Sequence, residues 1–241
     1  MKALLLAAGL GTRLRPITNT IPKCLVEINK KPLLEYWLQN LSEIGVNEFL
    51  INTHYLSDKV QEFVENSNFK NNITLVHEKE LLNTGGTLLA NKEFFIKEEE
   101  FFLIHADNLC FCDFEVFVDT HKKNKDICEI TMMLFETGTP KSCGIVELDS
   151  KNIVQKFHEK VENPPSNLAN GAVYICNNTI LDYLESLNKK EIDFSLDVIP
   201  NYLGKINTFL NDVYHRDIGT VESYKQAVKD IKNFDLFKNN I

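Results

Sequence analysis

A short apolar run near the start of this chain, Lys2 to Leu6, runs straight into Ala7-Ala8-Gly9-Leu10-Gly11-Thr12-Arg13. An apolar run of that length ending in small residues reads as a buried parallel strand. A Gly-rich turn at its end gathers backbone N–H groups at one point. Glycine allows positive φ and lets a bulky anion approach the backbone. Arg13 adds a planar fork of donors matched to phosphate-type oxygens, and Thr12 adds a hydroxyl. Leu6, Ala8, Gly9, Gly11, Thr12 and Arg13 are therefore the candidate anion-binding residues. Pro16 and Pro22 stiffen the stretch that brings Lys23 back toward the turn.

Two commoner glycine patterns do not fit. The dinucleotide pattern G-x-G-x-x-G needs a third glycine where Leu14 stands. A Walker A loop needs Gly-Lys-Ser/Thr, but Gly204-Lys205 is followed by Ile206.

Beyond the turn, helix and strand patterns alternate. Helices are expected at Leu33 to Ile44, Ser57 to Asn66 (capped by Ser57), Thr87 to Phe94 and Asp113 to Lys123. Strands are expected at Glu48 to Thr53, Ile73 to His77, Phe101 to His105 and Ile130 to Phe135. This βαβα order predicts an α/β fold, a Rossmann-like and mostly parallel sheet flanked by helices. After about Thr137 the pattern changes. Short strands are expected at Gly144 to Glu147, Ile153 to His158 and Ala172 to Cys176. Helices follow at Thr179 to Leu187 and at Ser195 to Leu203, the second near a cap at Asp193. A strand at Ile206 to Phe209 and a helix at Val221 to Ile231 close the pattern. With no linker in view, residues 1–241 read as one domain. Residues 1–136 would form a nucleotide-binding core, and residues 137–241 a smaller second lobe with closing helices.

Composition narrows the function classes. The 241 residues are 44% apolar and 25% charged, with a net charge of −8. An acidic chain does not offer the basic face that nucleic acid selects. No apolar stretch approaches the roughly 20 residues that span a bilayer, and no signal peptide is read. The six cysteines are scattered and form no CxxC pair. They read as reduced thiols, and a cytoplasmic location is expected.

The segment Gly9-x-Gly11-Thr12-Arg13-Leu14-x-Pro16-x-Thr18, followed by Pro22-Lys23, closely resembles the signature of the bacterial sugar-1-phosphate nucleotidyltransferases. Lys31-Pro32-Leu33-Leu34-Glu35-Tyr36 is similar to a second family segment. Further matches lie at Thr84-Gly85-Gly86, Asp107, Gly144-Ile145-Val146, Glu159-Lys160, Asn170-Gly171 and Asp217-Ile218-Gly219-Thr220. The order of matches covers nearly the whole chain. The resemblance implies a nucleotide lying over the carboxyl ends of the strands and a second lobe that binds the sugar phosphate. It also implies a short family type, without a C-terminal left-handed β-helix acyltransferase domain.

Roles follow position by position. Arg13 would hold the β- and γ-phosphates, and Lys23 the phosphates near the reacting α-phosphorus. Thr84, Gly85 and Gly86 would form a loop close to the base and ribose. Asp107 and Asp217 would bind Mg²⁺. Asn108, Gly144, Glu159, Lys160, Asn170 and Gly171 would contact the sugar phosphate. Arg13, Lys23 and Asp107 would carry the catalysis. Taken singly, Asp107 reads equally well as a turn residue and Glu159-Lys160 as an exposed ion pair, while Asp217 reads more readily as a turn residue and Lys23 as a solvated lysine.

The expected reaction joins an NTP and a sugar 1-phosphate into an NDP-sugar and pyrophosphate. A homo-oligomer is left open. Ala106, His215 and Asn83 depart from the family pattern. Asn83 lies in the base-reading segment, where Thr84-Gly85-Gly86 resembles guanylyltransferase-type members, so GTP is the expected donor. Nucleotidyl transfer to another phosphorylated small molecule, a non-catalytic regulatory subunit and a related glycosyltransferase remain alternatives. The last lacks a D-x-D motif at Asp107-Asn108-Leu109.

Overall fold

A computed structural model describes the backbone of residues 1–238 and the side chains of residues 1–232. In chain order the elements begin with β1 (Lys2–Leu6), β2 (Glu27–Ile28), β3 (Lys31–Pro32), α1 (Leu33–Glu43), β4 (Glu48–Thr53), α2 (Ser57–Asn66) and β5 (Ile73–His77). They continue with α3 (Asn83–Ala90), α4 (Lys92–Phe95), β6 (Glu100–His105), β7 (Asn108–Phe111), α5 (Phe114–Asn124) and β8 (Ile130–Glu136). The remainder are β9 (Gly144–Leu148), β10 (Val154–Glu159), β11 (Leu168–Asn177), α6 (Thr179–Ser186), β12 (Ile206–Leu210), β13 (Tyr214–Asp217) and α7 (Val221–Lys238).

The mixed α/β architecture is the expected one. β6, β1, β4 and β5 are parallel neighbours in that order, with Leu4 opposite both Leu50 and Leu103. Side chains alternate across a strand, and here both faces are covered. Leu4, Leu50 and Leu103 point into a core with Leu88 of α3 and Leu181 of α6. Ala3, Leu5, Ile51 and Ile104 point into a second core with Trp37 and Leu38 of α1 and Phe117 of α5. That double burial is why β1 is apolar at every position after Lys2.

The second half of the chain does not build a sheet of its own. β11 enters antiparallel between β6 and β8, and β12 lies parallel to β8. The nine-stranded sheet of the described residues therefore runs across the change of pattern near residue 136. A separate two-stranded ribbon pairs β7 with β13.

Several local expectations change. Ser57 does not cap α2: Leu56 takes the cap position in the left-handed region, φ 51°, with no side-chain hydrogen bond. The helix expected from Thr87 starts at Asn83 and breaks at Asn91 before α4. The Thr84-Gly85-Gly86 segment is therefore the first turn of a helix, not a loop. The helix expected over Ser195 to Leu203 is a wide turn, Phe194–Val198, followed by a 3-10 turn, Ile199–Asn201. Pro200, without an N–H, cannot continue the regular ladder. Asp193 does cap this segment, accepting from the N–H groups of Ser195 and Leu196.

Candidate active site

The Gly-rich turn leaves β1 with its geometry fixed from beneath. Gly11 has φ +62°, and a Cβ there would lie 3.0 Å from Thr18 Cγ2 and 3.4 Å from Lys23 Cβ. Thr18 donates its hydroxyl to the Gly11 carbonyl at 2.7 Å. The glycine thus lets the segment carrying Thr18 and Lys23 close against the turn. Gly9 has nothing within 4 Å of a would-be Cβ, so its open side faces out of the fold. Thr12 and Arg13 are exposed at the rim.

Asp107 stands two residues beyond β6, where the Ala106 N–H donates to the Leu6 carbonyl at 3.0 Å. β13 pairs with β7 so that Asp217 lies opposite Asn108, and the Ile218 N–H donates to the Asp107 carbonyl at 3.2 Å. That ribbon register brings together two aspartates far apart in sequence. Lys23 completes the cluster. Its Nζ lies 2.6 Å from Asp107 Oδ2 and 3.1 Å from Asp217 Oδ1. The lysine side chain is 8% exposed, against 33% for Asp107 and 53% for Asp217. Burial opposes the charge on Lys23, but the two carboxylates outweigh it and hold its pKa above the usual lysine value. Burial likewise opposes the charge on Asp107, and the Lys23 ammonium outweighs it, so this carboxyl titrates below its usual range. Both groups are charged at neutral pH.

Arg13 reaches the same place. A Cβ at Gly219 would lie 2.5 Å from Asp217 Oδ2 and 3.2 Å from a terminal guanidinium nitrogen of Arg13. Gly219 is therefore a site residue that the motif reading does not single out, although it stands in one of the matching segments. Only a residue without a side chain lets Arg13 and Asp217 share that corner.

The other expected residues fall into three groups. Gly85 and Gly86 donate their N–H groups to the Ile192 carbonyl, at 2.8 and 3.1 Å, and Thr84 Oγ1 accepts from the Phe194 N–H. A Cβ at Gly85 would lie 2.7 Å from Ile192 Cγ2, and one at Gly86 2.5 Å from the Lys190 carbonyl. Both glycines are accounted for by packing against residues 190–192. Asn108, 4% exposed, donates to the Gly171 carbonyl at 3.1 Å, which also receives His215 Nε2 at 2.8 Å. Asn170 donates to the Tyr174 hydroxyl and accepts from the Ala172 N–H, within a bulge where β11 shifts register. Gly144 lies opposite Glu159, and a Cβ there would come within 2.8 Å of Glu159 Oε2. Glu159 pairs with Lys160 at 2.7 Å at the end of β10.

Both histidines near the aspartates are uncharged at neutral pH. Burial pulls the pKa of His105 down. His215 stacks on Phe135 at 4.3 Å, and burial pushes its pKa down to about 4. Because Gly171 O can only accept, His215 carries its proton on Nε2, which leaves Nδ1 bare. All six cysteines are free thiols, and burial pushes Cys24, next to Lys23, up to about 12.

The nucleotidyl transferase family matches residues 2–233. The chain belongs to this family. Among relatives of the chain, a mannose-1-phosphate guanyltransferase from Schizosaccharomyces pombe is 30% identical over 93% of the chain and 62% of its own length. A bifunctional sugar-1-phosphate nucleotidylyltransferase/acetyltransferase from Sulfurisphaera tokodaii is 33% identical over 79% of the chain and 44% of its own length. The chain thus spans less than two thirds of the length of each of these curated relatives. HddC from Yersinia pseudotuberculosis superposes with a TM-score of 0.80 at 26% identity, covering 95% of the chain and 99% of HddC. Among the described residues, no helix is long and apolar enough to cross a membrane.

Proposed function

We propose that this nucleotidyl transferase moves a nucleoside monophosphate from an NTP to a sugar 1-phosphate, with Mg²⁺ as cofactor. The observation that carries this reading is the convergence of Arg13, Lys23, Asp107 and Asp217 at the open end of the Gly-rich turn. An oxygen of the sugar phosphate attacks the α-phosphorus. The bond to the bridging oxygen of the β-phosphate breaks, and its electron pair leaves with pyrophosphate. The nucleophile is already ionised, so no strong base is required, in keeping with two neutral, weakly basic histidines. Catalysis rests on alignment and on stabilising phosphate charge.

The two carboxylates suit Mg²⁺. Among the described residues no group of three or more His, Cys, Asp or Glu gathers to hold a metal. Two oxygens already converge on the Lys23 ammonium, which leaves the remaining positions to phosphate oxygens and water. Bound there, Mg²⁺ would neutralise triphosphate charge. Arg13 grips the phosphates from the rim. Lys23 turns from the aspartates toward the α-phosphate.

The donor in this reading is GTP. The curated relative from Mycobacterium tuberculosis is a mannose-1-phosphate guanylyltransferase, 28% identical over 95% of the chain, and HddC is known complexed with GMP-PN. A reaction that draws on NTPs belongs in the cytoplasm. The test is a grid of the four NTPs against sugar 1-phosphates, reading pyrophosphate release with Mg²⁺. GTP with mannose 1-phosphate or a related sugar should give the largest signal. Silence across the grid overturns the proposal.

A further inference from the structure

A buried polar relay lies under the site and belongs to none of the roles above. Asn52, at 2% exposed, is the fifth residue of β4 in a strand otherwise apolar at its centre. Its Oδ1 accepts the Ala7 N–H at 2.7 Å, on the first residue of the Gly-rich turn. Its Nδ2 donates to Glu78 Oε1 at 3.0 Å. Thr87, 1% exposed, donates its hydroxyl to the same Glu78 oxygen at 2.6 Å. The other oxygen, Oε2, accepts the Leu82 N–H at 3.3 Å, at the cap of α3. Glu78 is 8% exposed. Its carboxylate is held by these three donors and by the positive end of α3.

A buried carboxylate is costly to keep, and an apolar trio of the same volume would serve packing as well. The relay does something packing cannot. It joins the two segments that the family resemblance assigns to the nucleotide, the turn at Ala7 to Arg13 and the first turn of α3 at Thr84 to Gly86. Both ends are backbone N–H groups, so the side chains set the position of the main chain itself. The geometry points to Asn52 and Glu78 as positioning residues that fix the distance between the phosphate-gripping turn and the start of α3. They touch neither reacting atom. This inference rests on the reading that both segments face the nucleotide.

The test exchanges the amide and the carboxylate. Asn52→Asp keeps the acceptor for Ala7 but sets two carboxylates about 3 Å apart, a repulsive pair. Asn52→Asp with Glu78→Gln restores a donor–acceptor pair of reversed polarity. The carboxylate now at position 52 would still accept from Ala7, and the amide now at position 78 would donate to it. The Thr87 hydroxyl, already 3.3 Å from the Asn52 amide nitrogen, would turn to the same carboxylate. KM for GTP, KM for the sugar 1-phosphate and the thermal midpoint are read for each variant. N52D should raise KM for GTP about tenfold or more, with KM for the sugar phosphate within about threefold of wild type. The double exchange should return KM for GTP to within about threefold. Thr87→Val, which keeps the volume and removes one donor, should move KM for GTP in the same direction by a few-fold, and it stands in if N52D does not fold. A lowered midpoint with both KM values unchanged, or a double exchange no better than N52D, would overturn the positioning role while leaving the reaction intact. A wild-type protein that binds none of the four NTPs would overturn the reaction and the inference together.

Discussion

Lys23 Nζ lies 2.6 Å from Asp107 Oδ2, joining residues 84 apart in sequence through a nearly buried ammonium. The same ammonium reaches Asp217. In the free protein the lysine neutralises both carboxylates assigned to the metal. Under the proposed reaction, a metal would bind there only once a triphosphate draws Lys23 away. Wild-type protein without nucleotide should bind Mn²⁺ weakly, and Lys23→Met should bind it about tenfold tighter, as read by paramagnetic resonance of free Mn²⁺. K23M should still lose turnover by about a hundredfold or more, because the α-phosphate loses its cation. Equal Mn²⁺ affinity in both proteins would rule out the competition.

Asp107 and Asp217 should not be equivalent. Asp107 makes the shorter contact and is the less exposed, at 33% against 53%. Asp107→Asn should cost about 10²–10³ in turnover, and Asp217→Asn less. Far-ultraviolet circular dichroism of both should match wild type. Wild-type pyrophosphate release from D107N would remove the metal assignment.

Gly9 and Gly11 should answer differently to alanine. Gly11→Ala puts a Cβ at φ +62° and 3.0 Å from Thr18 Cγ2, and should lower stability by about 1–2 kcal/mol. It should also displace Lys23 and reduce turnover. Gly9→Ala has open space around its Cβ, so the thermal midpoint should hold while KM for the NTP rises. An unchanged KM in G9A would show that no ligand approaches that face.

Acid should destabilise the fold through His121, far from the proposed site. This residue is 1% exposed, bonds to Thr131 and Asn177, and burial pushes its pKa down to about 4. The unfolded chain takes up a proton near the ordinary value of 6.5, which the folded chain refuses until about pH 4. Stability is therefore fully present above about pH 6.5 and falls as pH drops through the window to 4. The hydrogen bond to Asn177 offsets part of the cost, and Lys125 and Lys122 add to it. The loss should reach about 1–3 kcal/mol. Urea midpoints between about pH 7 and pH 4.5 should show it, and His121→Gln should flatten the slope by about one proton.

Much of this is legible in one dimension. β4, α2 and β5 have the expected bounds, because apolar period and length are properties of a few adjacent residues. The start of α3 is not, because Gly85 and Gly86 look like loop formers. Their absence of side chains serves contact with Lys190 and Ile192, a long way down the chain. Asn52 reads as one polar residue in a strand, since its partners Ala7, Glu78 and Thr87 are set by strand order.

The sequence by itself determined the parallel strands, the helices that cover them, and the Gly-rich turn that carries Arg13. Those depend on backbone freedom and on burial patterns that repeat within a turn or a pleat. Tertiary structure alone decided that β11 runs antiparallel beside β6, that the register of β13 on β7 sets Asp217 opposite Asn108, and that Lys23 stands between the two aspartates. The physical reason is that a strand edge offers the same N–H and C=O groups to any partner. Which edges meet is settled only when both faces of the sheet are buried at once.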